Sequence, residues 1–450
     1  MAGETFSVST SIGAASTALG GRPWKRAAAW LAFLGPFFFL TYGLANWWTA
    51  QLPHVPSLMF EWEQHIPFLP WTILPYMSID LFYAASLFVC ANRQELDRHA
   101  KRLLAATALS VVGFLLFPLR FSLERPEVAG FNGWLFDVLT GFDKPFNQAP
   151  SLHVSLLMLL WVVYARHLPG RWRWLLHGWF FLIGVSVFTT FQHHAIDGVT
   201  GAIVGIVCLY LFPDPPHSTL FNRNAAATPS ARLASYYLAG SLTTGCMATT
   251  LGGWAWGLLW PACALLLVAT AYRGAGTAVF QKHLGSLSWP ASILLAPYLA
   301  GAWLSSRWFT RNDKDNGEVV PGIWIGRAPA RADWKTSDMV AVLDLTAECP
   351  ACEEVHRRFY SNMPMLDLVT PDVAQLRRAV AALQMLSLHG PVLVHCALGY
   401  SRSALVIAAW LLQSGEVQTV EQAVAKVRAA RPRIVLSEQS LAVLRGFGHG

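Results

Sequence analysis

Up to about residue 305 the chain is a succession of long runs that are poor in charge, and such runs leave a polypeptide few options. Inside a bilayer the backbone polar groups find no water, so only helices or closed barrels can satisfy them. Roughly nine runs approach the length of about 20 apolar residues that a helical crossing needs. They lie at 27–45, 71–91, 103–118, 152–165, 174–192, 198–212, 234–251, 254–272 and 287–304. Only 13% of the residues are charged, against about 25% in soluble domains. The fold class expected is therefore a polytopic α-helical membrane domain, followed by a tail of ordinary polarity.

Arg22, Lys25 and Arg26 precede the first run, and "YGLANWW" follows it without a small-residue cleavage site, which reads as an uncleaved span. Basic residues mark cytoplasmic loops. By that rule the N-terminus, "NRQELDRHAKR" and Arg166, Arg171 and Arg173 lie inside, while 119–153 and 192–197 meet on the outer face. Nine spans would put the tail outside and eight would keep it inside. The run 234–251, rich in small and polar residues, is the least secure. The net charge of +7 fits topology; no nucleic-acid-binding motif accompanies it.

After the polar linker "RNDKDNGEVVPG" the pattern changes. The stretches "GIWIG", "MVAVLDLT" and "PVLVHC" read as strands, and "PDVAQLRRAVAALQML" and "TVEQAVAKVRAARP" as helices, giving a small α/β domain. At the end of the last strand, "HCALGYSRS" sets five residues between Cys396 and Arg402, with Gly399 and Ser401 among them and Ser403 after. A strand-to-helix loop of this length turns backbone N–H groups inward and adds the positive helix end, which makes an anion cradle. Arg402 can hold two phosphate oxygens at once, and in such a field Cys396 is a thiolate suited to attack on phosphorus.

This loop resembles the signature of the cysteine-dependent protein tyrosine phosphatases, in the dual-specificity form, with "GIWIGRAP" and "VLDLTAE" upstream. The resemblance covers 318–448. It implies that Cys396 forms a phosphocysteine, that Arg402 binds the phosphoryl group and that Ser403 assists departure of the thiolate. His395 would tune the thiolate. It also implies a general acid about 30 residues upstream, for which Asp367 fits; Asp372 competes but has a sufficient role as a helix N-cap. "CPAC", Cys349 to Cys352, reads as a surface turn, or as a local disulfide in an oxidising compartment.

Three further clusters lie at span ends, where ionisable residues are costly and therefore functional candidates. They are "FPLRFSLERPE" with Arg120 and Arg125, "NQAPSLHVS" with Ser151 and His153, and "FQHHAIDGVTG" with His193 and Asp197. His193 and Asp197 are four apart, so the carboxylate can fix the imidazole tautomer. Their order resembles the type 2 phosphatidic acid phosphatase superfamily over 25–213, with spellings closer to its inositol phosphorylceramide synthase-like branch. The resemblance implies His193 as nucleophile, Asp197 as its orienting partner and His153 as general acid, with Arg125, Arg120 and Ser151 binding phosphate. Two family cations are replaced: Pro118 stands where a Lys is usual and Val187 where an Arg is usual.

The organisation expected is a cytoplasmic tail over 1–24, a six-helix membrane domain over 25–213, additional transmembrane helices over 214–305, a linker over 306–317 and a phosphatase-like domain over 318–450. The function expected is a multi-pass phosphatase of a bacterial inner membrane, acting on a lipid phosphate or a phosphoprotein. No cofactor or metal is called for, because both implied mechanisms run on side chains.

Overall fold

The computed structural model describes residues 21–220, 229–334 and 338–448; most of the expected N-terminal tail, at 1–20, lies outside the described residues. The chain divides between Phe212 and Pro213 into two units.

The first unit is helical: α1 Trp24–Ala50, α2 Ile73–Val89, α3 Arg93–Leu116, α4 Gly130–Phe142, α5 Leu152–His167, α6 Arg173–Thr189 and α7 Ala195–Leu211. Its core joins Leu34, Leu103, Phe114, Leu159, Phe180 and Ile183. Large apolar side chains such as Phe39, Leu40, Leu81 and Leu116 face outward, as expected where the surroundings are lipid rather than water. Apart from Asp80, Lys101, Arg102 and Asp137, charge gathers toward helix ends and loops. There Glu95 of α3 takes Arg166 and His167 of α5 at 2.9 Å each, and Asp97 takes Trp30 of α1 at 2.9 Å. These bonds tie three helices together.

The second unit begins with α8 Ala231–Leu251 and α9 Leu259–Thr270. A wide turn at Ala271–Ala275 follows, then the short hairpin β1 Lys282–His283 and β2 Ser286–Leu287, and then α10 Trp289–Leu294 and α11 Ala296–Phe309. The same unit contains an α/β layer built from β3 Gly317–Val320, β4 Ile323–Arg327, β5 Ala341–Thr346, β6 Phe359–Met365, α12 Val373–Ser387, β7 Val392–Cys396, α13 Arg402–Gln413, α14 Val420–Ala430 and α15 Glu438–Gly448. Strand order is β3-β4-β7-β5-β6, with only β3 antiparallel to its neighbour. The central strand β7 is buried along its whole length, and α13 packs almost entirely inside. Parallel strands covered on both faces read as continuous apolar runs, which is why "PVLVHC" was legible. Strand β6 was not, because Asn362 and Pro364 interrupt it; as an edge strand it tolerates a proline.

Among the described residues, four helical stretches are long and apolar enough to cross a membrane: Trp24–Ala50, Pro70–Val89, Arg93–Leu116 and Gly253–Phe280. Helices α5 and α7 are shorter apolar helices. The run read as one span at 287–304 is two helices that meet at Leu295, with Pro297 in the first turn of the second. Proline cannot donate the bond that would continue a helix, so the run breaks there.

Helices α5 and α7 approach closely at Gly201, where an added Cβ would lie 2.4 Å from the Ser151 carbonyl oxygen. Gly201→Ala forces these backbones apart and is expected to cost about 1–3 kcal/mol. A lowered thermal unfolding midpoint of the full chain in detergent checks this, with Gly178→Ala, which meets open space, as the control.

Candidate active sites

The loop after β7 is held so that its carbonyls point away from its centre. The Ala397 oxygen accepts from Ser306 Oγ at 2.6 Å and from the Ala328 N–H at 3.3 Å. The Leu398 oxygen accepts from Arg431 at 3.0 Å, and the Tyr400 oxygen from the Val435 N–H at 2.9 Å. With the oxygens engaged outside, the amide hydrogens are left facing the cradle, an arrangement that binds anions. Gly399 has φ +77° and passes so near β4 that a Cβ would lie 2.4 Å from the Gly326 oxygen. Only glycine meets both demands. The Ser401 oxygen accepts from the Leu405 N–H and starts α13, whose N-terminus closes the cradle.

Cys396 lies at the floor, 2% exposed, with the Gly399 N–H donating to its sulfur at 3.2 Å and Ser403 Oγ at 3.4 Å. Burial raises the thiol, but the Arg402 guanidinium and the Ser403 hydroxyl outweigh burial, so the thiol titrates below its ordinary range. His395 Nε2 is 3.9 Å from Asp344 Oδ1, its Nδ1 is buried without a partner among the described residues, and burial keeps the ring below its usual value.

Arg402 is buried and paired. Its Nη2 and Nη1 donate to the two Glu348 oxygens at 2.6 and 3.0 Å, and Nη1 also donates to the Met365 oxygen at 2.9 Å. Asp367 Oδ1 stands 3.1 Å from Nη2, on the loop that follows β6. The structure thus brings Asp367, Arg402, Cys396 and Ser403 to one place. Asp372 instead accepts the Gln375 N–H at 2.6 Å as the N-cap of α12. Sequence reasoning missed Glu348, although it ends the "VLDLTAE" stretch already singled out. It is fully enclosed, and Arg402 holds its carboxyl below the usual range against the opposing effect of burial. Cys349 and Cys352 are both free thiols; Trp334 Nε1 donates to the sulfur of Cys352.

In the first unit, Asp197 Oδ2 lies 3.5 Å from His193 Nδ1 and accepts the His194 N–H at 2.8 Å. His153 stacks on Tyr76 at 4.1 Å between ring centroids, and its Nε2 is buried without a partner among the described residues. Arg125 sits 4.7 Å above the Phe136 ring, with its Nε likewise buried and unpaired. Ser151 caps α5, accepting the Val154 N–H, while its own N–H donates to the Asp197 oxygen at 2.9 Å and so joins the second and third clusters. Arg120 is exposed; its backbone N–H bonds the Pro56 oxygen, and its side chain makes no hydrogen bond or ion pair among the described residues. The unforeseen partner here is Glu63. It accepts from His194 Nδ1 at 2.8 Å and from the Ala195 N–H at 3.1 Å, while Ser122 Oγ lies 3.1 Å from His194 Nε2.

Burial raises both Cys349 and Cys352, whereas Cys396 is lowered. Iodoacetamide at pH 7 is therefore expected to alkylate Cys396 at least about tenfold faster than either, because the thiolate is the reactive form. Peptide mapping after brief labelling of the full chain, with vanadate as protectant, checks this; equal labelling of the three would contradict it.

Residues 323–449 match the family model for the dual specificity phosphatase catalytic domain, and residues 72–211 match the model for the PAP2 superfamily. Among curated proteins, the human dual specificity protein phosphatase 12 is 32% identical over 132 residues, which is 27% of this chain. The chain spans 38% of the length of that relative. Among solved structures, Tk-PTP in its active form is 25% identical, with a TM-score of 0.28, covering 30% of this chain and 96% of that one. PTPMT1 is 23% identical with a TM-score of 0.27, covering 30% and 94%. The chain joins a PAP2-superfamily domain to a C-terminal dual-specificity phosphatase catalytic domain.

Proposed function

We propose that this protein is a membrane-bound phosphatase that hydrolyses phosphate monoesters through a phosphocysteine in its C-terminal domain. One observation carries this reading. A buried thiol faces inward-pointing amides, beside a buried arginine whose Nε has no partner among the described residues. An unpaired buried donor of that kind is costly, and a phosphoryl oxygen is the acceptor that suits it.

Cys396 Sγ attacks phosphorus as the bond to the leaving oxygen breaks, and Asp367 delivers the proton that makes that oxygen an alcohol. Arg402 and the loop amides take the charge on the non-bridging oxygens. Asp367, now ionised, removes a proton from water as the water oxygen attacks phosphorus. Inorganic phosphate forms, and the Cys396 thiolate leaves with help from the Ser403 hydroxyl. Gly399 and Ser401 contribute through the loop that lines the phosphoryl site.

The substrate class proposed is a lipid phosphate, with a phosphoprotein as the alternative. In support, residues of the helical stretch 253–309 bond directly to catalytic loops: Tyr272 hydroxyl to the Asp367 oxygen at 3.1 Å, and Ser306 to the Ala397 oxygen. Loops anchored to apolar helices operate close to a bilayer surface, where lipid headgroups are concentrated. A count of about nine spans and a bacterial inner-membrane location belong to the same proposal.

The membrane unit is proposed to hold a second, histidine-dependent site for a lipid phosphate. His193 would be the nucleophile oriented by Asp197, His153 the acid, and Arg125 with Arg120 and Ser151 the phosphate ligands. The unpaired buried Nε2 of His153 and Nε of Arg125 support an anion site there. Hydrolysis and transfer of a head group to an alcohol both pass through such a phosphohistidine, and water or alcohol as acceptor separates them.

Phosphate release from a panel of lipid phosphates and a phosphotyrosine peptide, in membranes carrying wild type, Cys396→Ser or His193→Ala, tests both sites. Cys396→Ser is expected to lower release from its substrate by about 10³-fold or more, with His193→Ala affecting a different substrate. Unchanged release in both variants would sink both assignments.

A further inference from the structure

The phosphatase strands enclose a lysine that the phosphatase domain does not supply. Lys282 lies outside the residues matched to the catalytic domain, 323–449, in the hairpin between α9 and α10. Its side chain is 1% exposed, and its ammonium meets Asp344 Oδ2 at 2.7 Å. It also donates to the Thr346 carbonyl and hydroxyl at 2.9 Å each and to the Cys349 carbonyl at 2.5 Å. The hairpin is shaped to bring it there. Gly285, with φ +83°, lets the turn approach so closely that a Cβ would fall 2.7 Å from Ala351 and 2.8 Å from the Tyr360 hydroxyl. The Ala351 N–H bonds back to the Gly285 oxygen at 2.9 Å.

Asp344 pairs in register with His395, the residue before the nucleophile. We propose that Lys282 is a positioning residue of the phosphocysteine site, acting through Asp344 on His395 and the strand end that presents Cys396. This inference rests on the phosphocysteine reading of the tail. The charged and titratable groups around Asp344 are Lys282 from the hairpin, Tyr360 from β6, whose hydroxyl donates at 2.7 Å, and His395 from β7. The N–H and hydroxyl of Thr346 complete its shell at 2.8 and 2.7 Å. Those around His395 are Asp344, Lys282, Cys396 and Arg402. Burial raises the Asp344 carboxyl, yet the charges of Lys282 and His395 and the hydrogen bonds from Lys282 and Thr346 outweigh it and hold it at about 2. The ammonium therefore answers a carboxylate that His395 would otherwise have to answer by taking a proton.

The sign of the effect follows from charge. Lys282→Met deletes a buried positive charge linked through Asp344 and His395 to the strand end that presents Cys396, so the Cys396 thiol should ionise at higher pH. Asp344→Asn deletes a negative charge and should move it to lower pH. The double variant removes the pair and should return close to wild type, as buried pairs replaced together generally do. The measurement is the pH dependence of Cys396 alkylation in the full chain in lipid nanodiscs, read by peptide mapping, beside kcat/KM for a soluble aryl phosphate.

Shifts of about half a pH unit or more, opposite in sign for the two single variants, with a kcat/KM loss of about tenfold in Lys282→Met that the double variant largely restores, support the proposal. Shifts that are absent or share one sign overturn it, since misfolding would not reverse with the sign of the deleted charge. Should Lys282→Met not fold, Asp344→Asn and the double variant carry the same test. Cys396→Ser separates the two levels. If Cys396→Ser retains aryl phosphate hydrolysis in a His193→Ala background, the phosphocysteine reading fails; if it abolishes hydrolysis there while the shifts are missing, only the role of Lys282 fails.

Discussion

A guanidinium that is 2% exposed has to be answered by charge, because an isolated buried cation costs several kcal/mol. Arg402 is answered by Glu348 on one edge and by Asp367 on another, while its Nε stays unpaired. The rest of the tail follows from keeping this ion in place. The Glu348 pair leaves the guanidinium plane beside the cradle before any phosphate arrives. The same cation, with the Ser403 hydroxyl, outweighs burial at Cys396 and holds its thiol below the ordinary range, where an apolar pocket would have raised it. It also draws the Asp367 loop over the site, and that loop is bonded in turn to Tyr272. Cys396, Arg402 and Asp367 are therefore parts of one electrostatic arrangement.

The membrane unit solves a related problem differently. Many of its polar groups collect at helix ends, where Ser151 and His194 open α5 and α7, where Asp197 accepts a backbone N–H beside the His193 ring and where Glu63 accepts from a backbone N–H and from the His194 imidazole. Ser151 and Asp197 thus each have a structural duty beside the chemical one proposed for them. Backbone donors at helix starts must be satisfied in any case, and a carboxylate used for that purpose is already positioned to orient a histidine.

What the sequence revealed was local. The cradle is seven contiguous residues from Cys396 to Arg402 between an apolar strand and an apolar helix, so spacing alone exposes it. Asp367 was legible from its distance to the cysteine, and Asp372 from its capping position. Glu348 and Lys282 were not, because their partners lie 54 and 62 residues away and nothing in composition brings them together. The break at Leu295 was hidden by an apolar run that looks continuous, although Pro297 marks it in retrospect. Nor did hydropathy separate runs that pack into a short helix from runs long enough to span, since α5, α6 and α7 have only 16 or 17 residues each.

The central claim is that the tail works through a sulfur–phosphorus bond formed on Cys396. The most direct measurement is to mix the full chain with a phosphate monoester substrate, quench within milliseconds and locate the protein-bound phosphoryl group by ³¹P NMR and peptide mapping. The account predicts an S-phosphoryl group on the Cys396 peptide, enriched in Asp367→Ala, where water is not activated, and absent in Cys396→Ser. Phosphoryl transfer found only on histidine, with the Cys396 peptide unmodified under every quench time, would contradict it.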